Sequence, residues 1–117
     1  MGQLDNLFIE LKKVEPKEIM KGFHGRMLHT DNMTLVYWEI DEGSILPEHS
    51  HVHEQVVNML EGQFELVVDG NSQVYEPGVV CMIPSYARHS GHAVTACKIL
   101  DVFHPVRKDY KLLDGND

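Results

Sequence analysis

Two histidines and a glutamine lie close together in the middle of the chain, and their types suit transition-metal binding. His49 and His51 are two residues apart, and Gln55 follows four residues later. In an extended strand, side chains two residues apart lie on one face, so both imidazoles should point the same way. A bend at 53–54 would bring Gln55 to them, and His89 is the candidate fourth ligand. Imidazoles with an oxygen donor form typical first-row transition-metal sites.

This predicted ligand set indicates which ion the site would hold and what the ion would do. Imidazole and amide oxygen suit Ni, Zn, Fe, Mn or Co, so the sequence predicts one divalent transition-metal ion without selecting among them. All four ligands are neutral, which leaves the ion's charge uncompensated and suits Lewis-acid chemistry or an anionic substrate. Two alternatives stay open, a solvated strand face for the histidine pair and an orienting role for Gln55. His53 lies at the bend and is interpreted as an exposed turn residue.

An aspartate interrupts the last long apolar run, 98–103, and is the candidate for proton transfer. Asp101 alternates with Leu100 and Val102, so it should share a face with Ile99 and Phe103. If that face is the interior, the charge is costly unless it is paired or functional. The alternative is an aspartate at the rim that makes a structural hydrogen bond.

Arg107 follows this run and could bind a substrate carboxylate through bidentate hydrogen bonds. Its neighbours Lys108, Asp109 and Lys111 are charged, so a surface arginine in a polar tail is the alternative. Phe103 is interpreted most simply as a core aromatic.

Length and composition limit the class of protein. The 117 residues suit one domain over 1–117, with 43% hydrophobic and 24% charged residues. A net charge of −8 argues against a nucleic-acid partner. No apolar run approaches the roughly 18 residues that span a bilayer, and the N-terminus lacks the order of a secretory signal. We therefore expect a cytoplasmic protein without a membrane partner. Cys81 and Cys97 are interpreted as small buried hydrophobes.

Turn residues recur every 8–12 positions, which is typical of a β-sandwich or barrel. Asp69-Gly70 is a strong hairpin signal, and no helical pattern appears between the strands. Residues 1–24 are interpreted as a short N-terminal arm, either a helical turn or an edge strand, and the tail after Tyr110 is expected to fray. The predicted strands are Arg26–His29, Thr34–Ile40, Gln55–Leu60, Gln63–Val68, Ser72–Tyr75, Val79–Ile83 and Ala96–Phe103.

With these residues in place, the chain resembles the cupin superfamily over about 34–104. The first cupin motif is matched by Gly43, His49, His51, Gln55 and Gly62, and the second by the segment from Pro84 to His89. The resemblance implies an all-β double-stranded β-helix, or jelly-roll barrel, with the second-motif histidine completing a metal site. It also implies a homodimer. The sequence departs from the motifs at Gln55, where a glutamate is usual, and at Ala87 and Ala93, where glycine and asparagine are usual.

A narrower resemblance, to the KdgF group of pectin degradation proteins, rests on the segment 97–110 and on His-x-His-x-His-Glu-Gln followed by a Leu-Glu-Gly turn. That group acts on 4,5-unsaturated uronates and promotes their ring opening to the keto form. The resemblance implies active-site roles for Asp101, Phe103 and Arg107 and a small acidic sugar as substrate. Two other classes remain open: another metal-dependent cupin enzyme, such as a dioxygenase or sugar isomerase, and a non-enzymatic module that binds a small ligand.

Overall fold

The computed structural model describes residues 7–114, which form two antiparallel β-sheets around one core. Outside the sheets, this part of the chain contains a 3-10 turn at Leu11–Lys13 and one short helix. The elements in chain order are β1 (Lys17–Met20), β2 (Phe23–His29), β3 (Thr34–Ile40), β4 (Ile45–His49), β5 (Glu54–Glu61), β6 (Phe64–Val68), β7 (Asn71–Tyr75), β8 (Val80–Ile83), β9 (His89–Ala93), β10 (Cys97–His104) and α1 (Lys108–Leu113).

The sheets have the strand orders of a jelly roll. The larger sheet runs β1-β2-β3-β10-β5-β8, and the smaller runs β4-β9-β6-β7. The inner faces meet in a shared core, where the Phe23 ring of one sheet lies 6.4 Å from the Phe64 ring of the other. The jelly-roll fold predicted from the sequence is confirmed.

Alternation of side chains decides which residues face the core. In β10, the buried positions are Cys97, Ile99, Asp101 and Phe103, while the residues between them are partly or fully exposed. β10 pairs with β3 on one side and β5 on the other, so its inward residues sit at the centre of the larger sheet. Asp101 shares its inward face with Ile99 and Phe103, as the alternation predicted.

The turn between β6 and β7 shows why an Asp-Gly pair suits its position. Asp69 and Gly70 connect β6 to β7 and have φ angles of 47° and 82°. Two successive positive φ values make the tight hairpin turn that matches the twist of the flanking strands. The hairpin signal read at these two residues is therefore confirmed.

The predicted strands correspond to β2, β3, β5, β6, β7, β8 and β10, with boundaries shifted by a few residues at most ends. Two elements, β9 and α1, were not predicted, whereas the extended segment expected at the histidine pair begins in β4. The strand β4 carries Pro47 and β9 carries Gly91, and both residues weaken a strand pattern. The expectation that the tail frays after Tyr110 is wrong for 111–113, which complete α1.

The N-terminal arm contains both structures that were considered for it, since the 3-10 turn precedes the edge strand β1. Residues 1–6 of the arm lie outside the described residues. Cys81 and Cys97 are both free. Within residues 7–114, no helix has the length and apolar character needed to cross a membrane. The homodimer and the cytoplasmic location stay predictions.

Candidate metal centre

The three predicted histidine ligands converge at one end of the barrel. One ligand atom from each of His49, His51 and His89 lies within 4.8 Å of the others. His49 ends β4 and is the registered partner of His89 at the start of β9, which brings their ring centroids to 4.1 Å. His51 follows in the loop that enters β5, and its ring lies 4.9 Å from that of His89. The bend therefore comes at 52–53, directly after the second histidine.

Backbone carbonyls orient all three imidazoles in the same way. Each Nδ1 lies at hydrogen-bond distance from a main-chain oxygen two residues away. The pairs are His49 with Pro47 O at 2.9 Å, His51 with His53 O at 3.0 Å and His89 with Ala87 O at 3.0 Å. A carbonyl only accepts, so Nδ1 carries the hydrogen and Nε2 keeps its lone pair. This is the tautomer in which histidine binds a metal through Nε2.

Two Nε2 atoms lack the partner that a buried polar atom needs. His89 is 1% exposed, and its Nε2 has no hydrogen-bond partner. His51 Nε2 faces Gln55 Oε1 at 3.2 Å, and with Nδ1 carrying the hydrogen both facing atoms are acceptors. A cation bound here would satisfy these lone pairs together. The residues present therefore fit a divalent transition-metal ion held by three imidazoles and an amide oxygen.

Burial keeps two of the imidazoles, those of His51 and His89, neutral. Burial lowers the pKa of His51 to about 4, with the Arg107 charge and His89 adding to the effect. Burial likewise lowers the pKa of His89. A neutral imidazole can donate its lone pair to a metal without first losing a proton.

Asp101 lies beyond Gln55 and is the most deeply placed carboxyl of the site. The Trp38 indole donates from Nε1 to Asp101 Oδ2 at 3.0 Å, while Oδ1 has no partner. Burial raises the pKa of Asp101 to about 7, although hydrogen bonds from Gln55 and Trp38 and the Arg107 charge oppose the rise. Gln55 faces His51 through its amide oxygen and also lowers the pKa of Asp101. Asp101 is therefore interior rather than at the rim, although it makes the structural hydrogen bond that this alternative expected.

Arg107 is buried rather than part of a solvated tail, so the surface alternative is wrong. Its Nε and Nη2 donate to the two carboxylate oxygens of Asp109 at 3.0 and 2.7 Å. The guanidinium also lies over the Tyr110 ring at 3.8 Å and the Phe103 ring at 4.8 Å. Asp109 occupies the Nε–Nη2 edge of the guanidinium, so a substrate carboxylate would have to use the Nη1 side.

Phe103 is a core residue, 2% exposed, and it also forms a wall of the site. Its ring stands edge-on to that of His51 at 5.8 Å and supports Arg107 from the other side. Its side chain offers no polar atom, so it shapes the site and excludes water from it.

A cavity of about 240 Å³ connects these groups. Its polar lining residues are His49, Gln55, Asp101, Arg107 and Tyr110, together with Trp38, whose only N–H is directed at Asp101. Its remaining lining is apolar. Concave, mostly apolar sites with a few convergent polar groups are typical of ligand-binding pockets.

The histidines described next are not part of the triad. His24 pairs with Asp41 at 3.3 Å and His92 with Glu65 at 3.1 Å. His53 is half-buried rather than an exposed turn residue, and its ring lies 5.4 Å from that of His51.

Three residues of the site escaped sequence analysis: Trp38, Asp109 and Tyr110. Trp38 lies within the predicted strand Thr34–Ile40, where alternation shows only that it faces inward. Asp109 and Tyr110 stand in a charged tail whose helical pattern spans only six residues. That is too short for periodicity to be detected.

Comparisons with known proteins agree with this geometry. A family model described as a cupin domain matches residues 36–103. The pectin degradation protein KdgF of Dickeya dadantii (strain 3937) is 26% identical over 83 residues, which cover 69% of this chain and 76% of that protein. An RmlC-like cupin from Shewanella frigidimarina NCIMB 400 has a TM-score of 0.85 and 28% identity, covering 90% of this chain and 96% of that one. KdgF from Halomonas sp. shares the fold, with a TM-score of 0.83 and 24% identity over 88% of this chain and 96% of that one.

Replacing one triad histidine should remove the metal, whereas replacing its neighbour should not. We expect His51→Ala to weaken Ni or Zn binding by more than the roughly 10- to 100-fold that supporting residues are worth, since it deletes a direct ligand. His53→Ala is the matched control, because its side chain lies outside the triad and its carbonyl remains. Isothermal titration of metal-free protein measures both. Equal affinities for the two variants would contradict the ligand assignment.

Asp101 should make metal-free protein less stable as the pH rises. Its folded-state pKa of about 7 lies above the ordinary value of 3.8. The stability that comes from burying the neutral acid is therefore complete below pH 3.8 and is lost as the pH rises through about 7. Relative to wild type, Asp101→Asn should gain on the order of 4 kcal/mol in unfolding free energy between pH 4 and pH 8.

Denaturant unfolding in chelator, at matched pH values, tests this difference. Subtracting the unfolding free energies of the two proteins cancels the contribution of the histidines, which changes with pH in the opposite direction to that of Asp101. Parallel pH profiles for wild type and variant would show that the carboxyl is ionised in the folded protein throughout.

Proposed function

Because the chain belongs to the cupin family, we propose that it is a metal-dependent enzyme acting on a small acidic sugar. Specifically, we propose that it promotes ring opening and ketonisation of 4,5-unsaturated uronates, the products of pectate and alginate lyases. The observation that carries the proposal is a buried carboxyl, Asp101, that lines the same cavity as Gln55 and His49. The relative named as a pectin degradation protein supports the substrate class.

The reaction is an isomerisation and needs no other reactant. The anomeric hydroxyl loses its proton, and the bond between C1 and the ring oxygen breaks to leave an aldehyde and an enol. A proton is then added at C4 as the enol becomes a ketone. The chemistry therefore requires a group that accepts a proton from oxygen and delivers one to carbon.

A metal held by His49, His51, Gln55 and His89 would supply Lewis-acid polarisation of a substrate oxygen. Asp101 would move the proton, and its free Oδ1 is the atom available for this. Its pKa of about 7 lets both the carboxylate and the acid exist near neutral pH, as general acid–base chemistry requires. The apolar walls around it exclude water, which would otherwise compete for the same proton.

Arg107 would bind the uronate carboxylate. The whole protein carries a net charge of −8, so long-range attraction cannot bring an anionic sugar to the site. A local cation is needed, and Arg107 faces the cavity with Asp109 holding its outer edge. The hydrogen bond to Arg107 lowers the pKa of Asp109, which keeps this pair charged.

Asp101→Asn should abolish turnover while metal content stays unchanged. Loss of a positioned general acid–base group typically costs roughly 10²- to 10⁴-fold in rate. The assay follows the ultraviolet absorbance of the conjugated enol ether in an unsaturated uronate monomer, against the spontaneous rate without protein. Asp41→Asn, at an exposed site, is the control. Full activity in Asp101→Asn would exclude the proton-transfer role, and a flat trace with metal-loaded wild type would exclude the substrate.

Arg107→Lys should raise KM more than it lowers kcat. A lysine ammonium cannot serve Asp109 and a substrate carboxylate with the geometry of a guanidinium, so ground-state binding suffers. We expect KM for the uronate to rise at least about tenfold, the equivalent of roughly 1.4 kcal/mol. Lys108→Ala, at the adjacent exposed position, should leave KM unchanged. An unchanged KM in Arg107→Lys would place the carboxylate elsewhere.

A further inference from the structure

The cavity has two chemically different halves. All its hydrogen-bonding side chains gather at the end next to the triad, whereas the opposite end is lined only by hydrocarbon. The residues of this apolar half are Phe23, Ile40, Phe64, Leu66 and Ile99, each at most 4% exposed. Trp38 lies between the two halves, and its indole N–H is already used by Asp101.

Strand register shows how far the apolar half extends from the acid. Asp101 pairs with Val36, Ile99 with Trp38, and Cys97 with Ile40. Two residues along a strand advance roughly 6.6 Å, so the Ile40 level lies about 13 Å from the Asp101 level. Several bonded carbon atoms fit within that length.

The two halves place opposite demands on a ligand. A hydroxyl in the apolar half would lose its water without gaining a hydrogen bond, and burying an unsatisfied polar group is unfavourable. A hydrocarbon group in the same place would gain free energy with each methylene removed from water. A polyhydroxylated ligand can therefore use only the polar half.

From this division we propose that the apolar half is a subsite for a hydrocarbon group. The site would then take small carboxylic acids whose oxygen-bearing end faces Arg107 and the triad and whose other end is unsubstituted aliphatic or aromatic carbon. The inference rests on the proposed function for the placing of the acidic end, and it does not require that a uronate be turned over.

The walls of the subsite are formed before any ligand enters. Phe23 stands edge-on to Trp38 at 6.0 Å and to Phe64 at 6.4 Å, which interlocks the two sheets around the space. A rigid pocket avoids the entropy cost of ordering side chains on binding. The cavity, at about 240 Å³, is slightly below the roughly 300–1,000 Å³ of drug-sized pockets, so the ligand is small.

Access lies between the edges of the two sheets. Only six of the lining residues reach solvent, and apart from Tyr110 they belong to the edge strands β1 and β4. They are Ile19, Met20, Leu46, Pro47, His49 and Tyr110. A ligand entering here would meet the triad on one side and the apolar half on the other.

The test compares two six-carbon monocarboxylates, hexanoate and gluconate, which differ in the five hydroxyls of gluconate. Both are titrated into the metal-loaded full chain and followed by the fluorescence of Trp38, the single tryptophan. Hexanoate should bind at least about tenfold more tightly, since burying each methylene is worth roughly fourfold in affinity. Affinity should also rise from acetate through butyrate to hexanoate. Equal or tighter binding of gluconate, or a flat alkanoate series, would overturn the inference.

A matched pair of variants tests whether hexanoate binds inside the cavity. Leu46 lines the cavity, while its neighbour Ile45 is 68% exposed on the same strand. Leu46→Phe should reduce hexanoate affinity at least about tenfold by narrowing the cavity, whereas Ile45→Phe should behave like wild type. Equal effects of the two variants would place hexanoate outside the cavity.

The outcome is separable from that of the uronate assay. Uronate turnover together with a flat alkanoate series would overturn this inference and leave the proposed function standing. A steep alkanoate series without uronate turnover would support the apolar subsite and remove the uronate as substrate.

Discussion

The site depends on one constraint, that each histidine of the triad directs Nδ1 at a main-chain carbonyl two residues away. This hydrogen bond selects the tautomer and stops the ring from rotating, so three Nε2 lone pairs face one point. The carbonyls belong to β4 and to the loops that precede β5 and β9, and closure of the barrel holds them in place. The convergence of the three histidines is thus a property of the backbone as well as of the imidazoles.

Gln55 extends this constraint from the triad to the acid. Its neutral amide faces His51 and lowers the pKa of Asp101, so the residue connects the triad with the carboxyl. A glutamate at this position would add a negative charge beside Asp101 and oppose ionisation of that acid further. The departure from the usual cupin ligand therefore leaves Asp101 free of a neighbouring negative charge at position 55.

Charge and hydrocarbon are separated within a single cavity. Arg107 is held by Asp109 on its outer edge and by Phe103 and Tyr110 on its faces, which fixes the position of the one arginine or lysine among the described residues that line the cavity. Since the protein is strongly acidic, this arginine and a bound metal would decide where an anionic group sits. The apolar half then decides what else that molecule carries, because hydroxyls there would go unsatisfied.

The sequence by itself determined the β architecture and three of the histidines, because alternation and turn residues are local signals and the ligands cluster by spacing. It also placed Asp101 on an inward face through the period of two in β10. Only the tertiary structure decided what those residues meet. The link from Trp38 to Asp101 joins positions 63 residues apart, and Arg107 is buried because its guanidinium packs on the Phe103 and Tyr110 rings. Such contacts depend on register and closure, which no local pattern records.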